Sequence, residues 1–116
     1  MWPNIVNGGE VIVQIDKSAE AERLFNQGLE LYQEGTAESL RGAIAKYKEA
    51  LLLLRKTDDL IWEAVTLLLI GRVYHDLGEK QEALNYYEQA LPILRQISNR
   101  VGEATALNNI GNVYSD

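Results

Sequence analysis

The sequence predicts an all-α protein: a right-handed α-solenoid of antiparallel helix pairs, five helices in about two and a half repeats. Two observations carry this expectation. The first is a repeat, in which Glu63, Ala64, Leu67, Ile70, Gly71, Val73 and Tyr74 recur forty positions later as Glu103, Ala104, Leu107, Ile110, Gly111, Val113 and Tyr114. The same step carries Ala43, Tyr47, Ala50, Leu51, Leu54 and Arg55 onto Ala83, Tyr87, Ala90, Leu91, Leu94 and Arg95. The second is that apolar residues fall three and four apart from Leu24 onward, the spacing of one helix face. Identity at a fixed long period marks stacked units, each burying its apolar face only against its neighbours.

Each element follows from local signals. Residues 1–17 carry turn chemistry at Met1-Trp2-Pro3-Asn4 and Asn7-Gly8-Gly9, then a β-branched run, Val11-Ile12-Val13-Gln14-Ile15. An isolated strand needs a partner edge, so a mobile tail is expected there rather than a strand pairing with another copy. The array then occupies 18–116, with repeat 1 over 18–57, repeat 2 over 58–98 and the first helix of a third repeat over 99–116. Ser18 can cap the first helix, and Gly35 stops it after Leu24, Gly28 and Leu31. The second helix starts near Glu38 and carries Leu40, Ala43, Ile44, Tyr47, Ala50, Leu51 and Leu54. Thr57-Asp58 ends it and can cap the third, which stops at Gly78. The fourth begins near Lys80 and repeats the second; Ser98-Asn99 separates it from the fifth.

Two irregularities stand out. The step from Gly28 to Gly71 is forty-three, which places a three-residue insertion between Gly35 and Ala43. Pro92 falls inside the fourth helix and removes one backbone bond, so a kink near Glu88 is expected rather than a break. Glycine costs about 1 kcal/mol inside a helix relative to alanine, so its recurrence at 28, 71 and 111 needs a compensating benefit. Close approach of the partner helix backbone is the expected one.

These small residues on paired helices resemble the tetratricopeptide repeat family. The likeness rests on Leu24, Gly28, Leu31; Leu67, Gly71, Tyr74; Leu107, Gly111, Tyr114; and on Ala43, Tyr47, Ala50 with Ala83, Tyr87, Ala90. The common unit is about 34 residues, whereas this one is forty. The longer unit, with Gly35-Thr36-Ala37-Glu38-Ser39-Leu40-Arg41 and Ala90-Leu91-Pro92, is similar to kinesin-light-chain-like repeats. It is also similar to the amino-terminal arrays of bacterial, especially cyanobacterial, proteins that carry a C-terminal CHAT-type protease domain.

The resemblance implies an inner groove lined by the first helix of each unit, its residues one position past the packing ones. That rule selects Phe25, Leu29 and Tyr32, then Leu68, Arg72 and His75, then Asn108, Asn112 and Ser115, with Leu69 and Asn109 at the flank. Spacings of four and three keep each trio on one stripe. The groove is expected to be apolar and aromatic at one end and amide-rich at the other. Asparagine can pair with a bound peptide's backbone whatever its sequence, and Phe25, Leu29 and Tyr32 could seat an apolar anchor. Paired cations for gripping a C-terminal carboxylate are not present at these positions, where Arg72 stands alone.

Composition narrows the function classes. A net charge of −6 with dispersed Lys and Arg argues against a grip on nucleic acid backbone or on an anionic membrane. The apolar runs Ala50–Leu54 and Leu67–Ile70 fall far short of the ~20 residues that span a bilayer. Residues 1–16 lack the basic start and apolar stretch of a signal peptide, and the cytoplasm is the expected location. With no cysteine there is no disulfide and no thiolate nucleophile or metal ligand.

His75 is the sole histidine, beside Asp76, but neighbours on a helix do not face one another. No nucleophile converges on it, Asp58-Asp59 reads as a cap rather than a metal site, and no glycine-rich loop could cradle phosphate. The expectation is therefore a non-catalytic scaffold without cofactor or metal that binds a peptide or helix. Two other readings accompany it. One is self-association as a homodimer through Leu107, Ile110, Val113 and Tyr114 of an uncapped last helix. The other is a regulatory segment of a larger CHAT-type protease.

Overall fold

Short, matched turns decide the architecture. The computed structural model describes the backbone of residues 9–116 and the side chains from Ala19 onward. Among these it contains five helices: α1 (Gly9–Glu34), α2 (Ala37–Lys56), α3 (Leu60–Asp76), α4 (Lys80–Gln96) and α5 (Arg100–Ser115). Connections of two or three residues between them require antiparallel neighbours. The closest packing is within the pairs α1–α2 and α3–α4, followed by α2 on α3 and α4 on α5, while α3 also touches α5. The radius of gyration is 15.8 Å, against about 13 Å for a compact domain of this length. The shortest extent, 19 Å, is the thickness of two helix layers. These features make the predicted all-α solenoid.

Three turns share one design at twenty-residue intervals. Asp58, Gly78 and Ser98 take left-handed φ values of 54°, 79° and 56°. The next N–H then closes back on the ending helix: Asp59 to the Leu54 carbonyl at 3.2 Å, Glu79 to Tyr74 at 2.9 Å, and Asn99 to Leu94 at 2.9 Å. This closure satisfies a carbonyl that the helix end would otherwise leave bare. The following helix is capped in two of the three cases. Asp59 accepts from the Trp62 N–H at 3.2 Å, and Asn99 accepts from the Gly102 N–H at 2.8 Å. One residue thus ends each helix and the next opens another.

The three-residue insertion is helical. It gives α2 20 residues against 17 in α4, adding a turn at its start. Thr36 and Ser39 build a capping box there, each side chain accepting the other's backbone N–H at 3.0 Å. α4 runs unbroken through Pro92.

One boundary differs from expectation. The first helix begins at Gly9, so residues 9–17, expected within a tail, belong to it, and Ser18 is interior rather than a cap. Residues 1–8 lie outside the described residues. The β preference of Val and Ile is worth only a few tenths of a kcal/mol per residue, and extending an existing helix needs no new nucleus.

The core is a line of repeat-matched side chains: Ala43, Tyr47 and Ala50, then Ala83, Tyr87 and Ala90, all fully buried, with Leu67, Ile70 and Val73 between them. The benefit that offsets glycine is not the expected one. A Cβ on Gly28 would lie 2.6 Å from Tyr47 Cε1, and one on Gly71 would lie 2.6 Å from Tyr87 Cε1. Each glycine is the seat of a tyrosine ring from the paired helix, not a point of backbone contact. At Gly111 a Cβ would meet nothing within 4 Å.

Candidate functional site

The first helices α1, α3 and α5 carry the residues expected to line a groove. On α1, Phe25 is half-buried, with its ring centroid 5.6 Å from Tyr47 and 5.2 Å from Trp62, the latter edge-on at 80°. Leu29 is 37% exposed. Tyr32 donates its hydroxyl to Asp76 Oδ2 at 2.8 Å. On α3, Leu68 and Leu69 pack against the core. Arg72 is exposed, and its Nε reaches Asp76 Oδ1 at 3.4 Å. On α5, Asn108 and Asn112 are exposed and Asn109 is half-buried. Ser115 turns back to donate to the Asn112 carbonyl at 3.1 Å.

His75 meets the carboxylate of Asp116, one repeat on, rather than that of adjacent Asp76. Tyr32 makes the matching contact to Asp76. Asp76 and Asp116 are forty residues apart, so the same acid position receives a donor from the preceding first helix at both junctions. Tyr32 and His75 therefore tie consecutive first helices together, which leaves Leu29, Arg72, Asn108 and Asn112 as the more accessible members of the stripe. Sequence reading missed this because the partners are separated by 44 and 41 residues. The forty-residue recurrence of Asp76 at 116 was the available signal.

A second tie lies between the pairs. Lys48 of α2 donates to the Tyr74 hydroxyl at 3.0 Å, with its ammonium 5.5 Å from the Tyr74 centroid and 5.7 Å from that of Tyr86. Those two rings stack at 5.6 Å.

Burial shapes the polar chemistry beneath the stripe. The hydroxyls of Tyr47 and Tyr87 are buried and have no hydrogen-bond partner among the described residues. Burial pushes the Tyr87 phenol up to about 12, with the Arg72 guanidinium opposing and the Asp76 carboxylate reinforcing the rise. Tyr47 is raised, chiefly by burial. Burial first, and then the bond to Asp76, raises Tyr32 as well.

At the far end of α5, Leu107 is 48% and Tyr114 72% exposed, and Ile110 is half-buried. Val113 was expected on the same exposed surface but is only 2% exposed. It repeats Val73, which is also buried, so it belongs to the face of α5 turned inward. Among the described residues no group of three or more His, Asp or Glu could hold a metal ion. No described helix is long and apolar enough to cross a membrane.

A cleft of about 180 Å³ opens beside Phe25, lined by Ala21, Glu22, Phe25, Leu54, Asp59 and Trp62. Sequence reading placed Phe25 in the groove and Leu54 on the packed face of the second helix but brought neither to Trp62, because the three come from different helices.

No curated protein matches the chain. A family model described as Tetratricopeptide repeat matches residues 37–96, the stretch that contains α2, α3 and α4 with two of the three matched turns. Together with the tyrosine-on-glycine seats and the forty-residue step, that match makes this chain a member of the tetratricopeptide repeat family.

Proposed function

We propose that the chain is a non-catalytic scaffold that holds a peptide or a helix along the stripe formed by α1, α3 and α5. Repeats of this family generally mediate protein–protein interaction. The observation that carries the proposal is the exposure of Leu29, Arg72, Asn108 and Asn112 on first helices that Tyr32–Asp76 and His75–Asp116 tie in register. A surface with its donors and acceptors already held apart at fixed spacing loses little entropy on binding. Asn108 and Asn112 lie four apart on one helix face and would pair with the backbone of an extended peptide. Phe25, Leu29 and Leu68 supply apolar contact at the other end.

The test is a peptide selected from a random library for binding to the wild-type chain. Replacing Asn108 and Asn112 together by Ala should weaken it at least ten-fold with the circular dichroism spectrum unchanged. Unaltered affinity would place the binding elsewhere.

A second reading is self-association through Leu107, Ile110 and Tyr114. It is favoured by the exposure of Leu107 and Tyr114, two large apolar side chains on one helix. A monomer at millimolar concentration in light scattering would remove it. The forty-residue step supports the longer, kinesin-light-chain-like subtype. The link to a CHAT-type protease rests on that likeness alone, and the coding sequence around this segment would test it.

A further inference from the structure

The cleft beside Phe25 has walls of unlike chemistry. Ala21, Leu54 and Phe25 supply apolar lining. The Trp62 indole, 47% exposed, meets the Phe25 ring in a T-shaped arrangement with centroids 5.2 Å apart. Two acidic residues, Glu22 and Asp59, also line it. Asp59 Oδ1 accepts the backbone N–H of Trp62 at 3.2 Å, which holds that carboxylate at the start of α3 beside the cleft. No described cation lies within salt-bridge distance of either acid.

Size and charge choose among occupants. A volume of about 180 Å³ is close to the roughly 150 Å³ cavity that accepts a benzene, and well below the roughly 300 Å³ at which drug-sized ligand pockets begin. One side chain fits; a cofactor does not. A purely apolar side chain would draw water away from two carboxylates and return nothing. An anion would be repelled. A cation on an apolar stem satisfies every wall, with methylenes on Leu54 and Phe25 and the charged head between the acids and the indole face.

We infer that this cleft is a subsite for a lysine side chain of the bound peptide, its ammonium held by Glu22, Asp59 and Trp62. The inference deepens the peptide-scaffold reading and rests on it for the identity of the ligand as a peptide. The net charge of −6 adds a long-range bias toward basic partners.

The experiment uses the full chain carrying Trp2→Phe, so that Trp62 gives the sole indole N–H resonance. N-acetyl-lysine methylamide is titrated against N-acetyl-norleucine methylamide, which has the same stem without the charge. The lysine probe should shift the Trp62 resonance and bind about five-fold more tightly than the norleucine probe, a preference of the size expected for a partly exposed cation on an aromatic ring and acids. Glu22→Gln should reduce that preference, and so should 0.5 M salt. Equal binding of the two probes would overturn the inference, as would the absence of any shift at Trp62. Either failure leaves the Asn108 and Asn112 test standing, since these probes do not need that end of the stripe.

Discussion

Alanine at Gly71 and alanine at Gly111 make the same chemical change at repeat-matched positions, and the two should act in opposite directions. In a helix interior the change alone is worth about 1 kcal/mol of stabilisation. At Gly71 the new methyl would lie 2.6 and 2.7 Å from two ring atoms of Tyr87. That ring is fully buried, and a close-packed interior leaves it little room to withdraw. Overpacking of this kind costs about 1–3 kcal/mol, and two contacts under 3 Å argue for the upper half of that range. Gly71→Ala should therefore lose about 1–2 kcal/mol net. Gly111→Ala meets nothing within 4 Å and should gain up to about 1 kcal/mol, less whatever fraying at the end of α5 removes.

Urea unfolding followed by circular dichroism at 222 nm measures both. Adding Tyr87→Leu to Gly71→Ala should cancel most of the penalty that the glycine change shows alone. Equal stabilisation by the two alanines would refute the idea that a tyrosine ring occupies the glycine seat.

Other expectations follow from the turns, the cap and the buried phenols. Ser98→Gly should stabilise by about 0.5–1 kcal/mol and Gly78→Ala destabilise by about 1 kcal/mol in the same unfolding assay, since both residues hold left-handed backbone. Thr36→Ala removes half of the α2 capping box and should lower stability by about 1 kcal/mol. The native Tyr87 phenol binds its proton more tightly than the unfolded one. Its contribution is therefore intact below about pH 10 and lost as pH rises toward 12. Tyr87→Phe should flatten that alkaline decline in a pH series of urea midpoints. At neutral pH it should be neutral or mildly stabilising, because the hydroxyl it removes is buried without a partner.

The helical turns were readable because each depends on residues close in the chain. Asp58, Gly78 and Ser98 recur at a step of twenty, each followed by a helix start, and local chemistry alone makes them stops. The first helix shows the limit. Its β-branched run from Val11 to Ile15 reads as a non-helical tail, yet a weak preference does not halt a helix already formed downstream.

The candidate stripe was named by counting positions, which says where a side chain leaves its helix but not what it meets. His75 illustrates the gap, because the sequence offers Asp76 beside it while the fold brings Asp116 to it instead. Val113 is a similar case. Its number places it among exposed neighbours, and the rotation of α5 turns it inward.

From the order of residues alone came the period, the helix pairs and the points at which the chain reverses, since all of these are set by contacts within a few residues or by repetition itself. Only the packed structure assigned Tyr47 and Tyr87 to their glycine seats, joined Tyr32 to Asp76 and His75 to Asp116, and gathered Glu22, Phe25, Leu54 and Trp62 around one cleft. Those arrangements depend on how far each helix is turned and shifted against its neighbour. That setting results from fitting many side chains at once, and no single stretch of sequence encodes it.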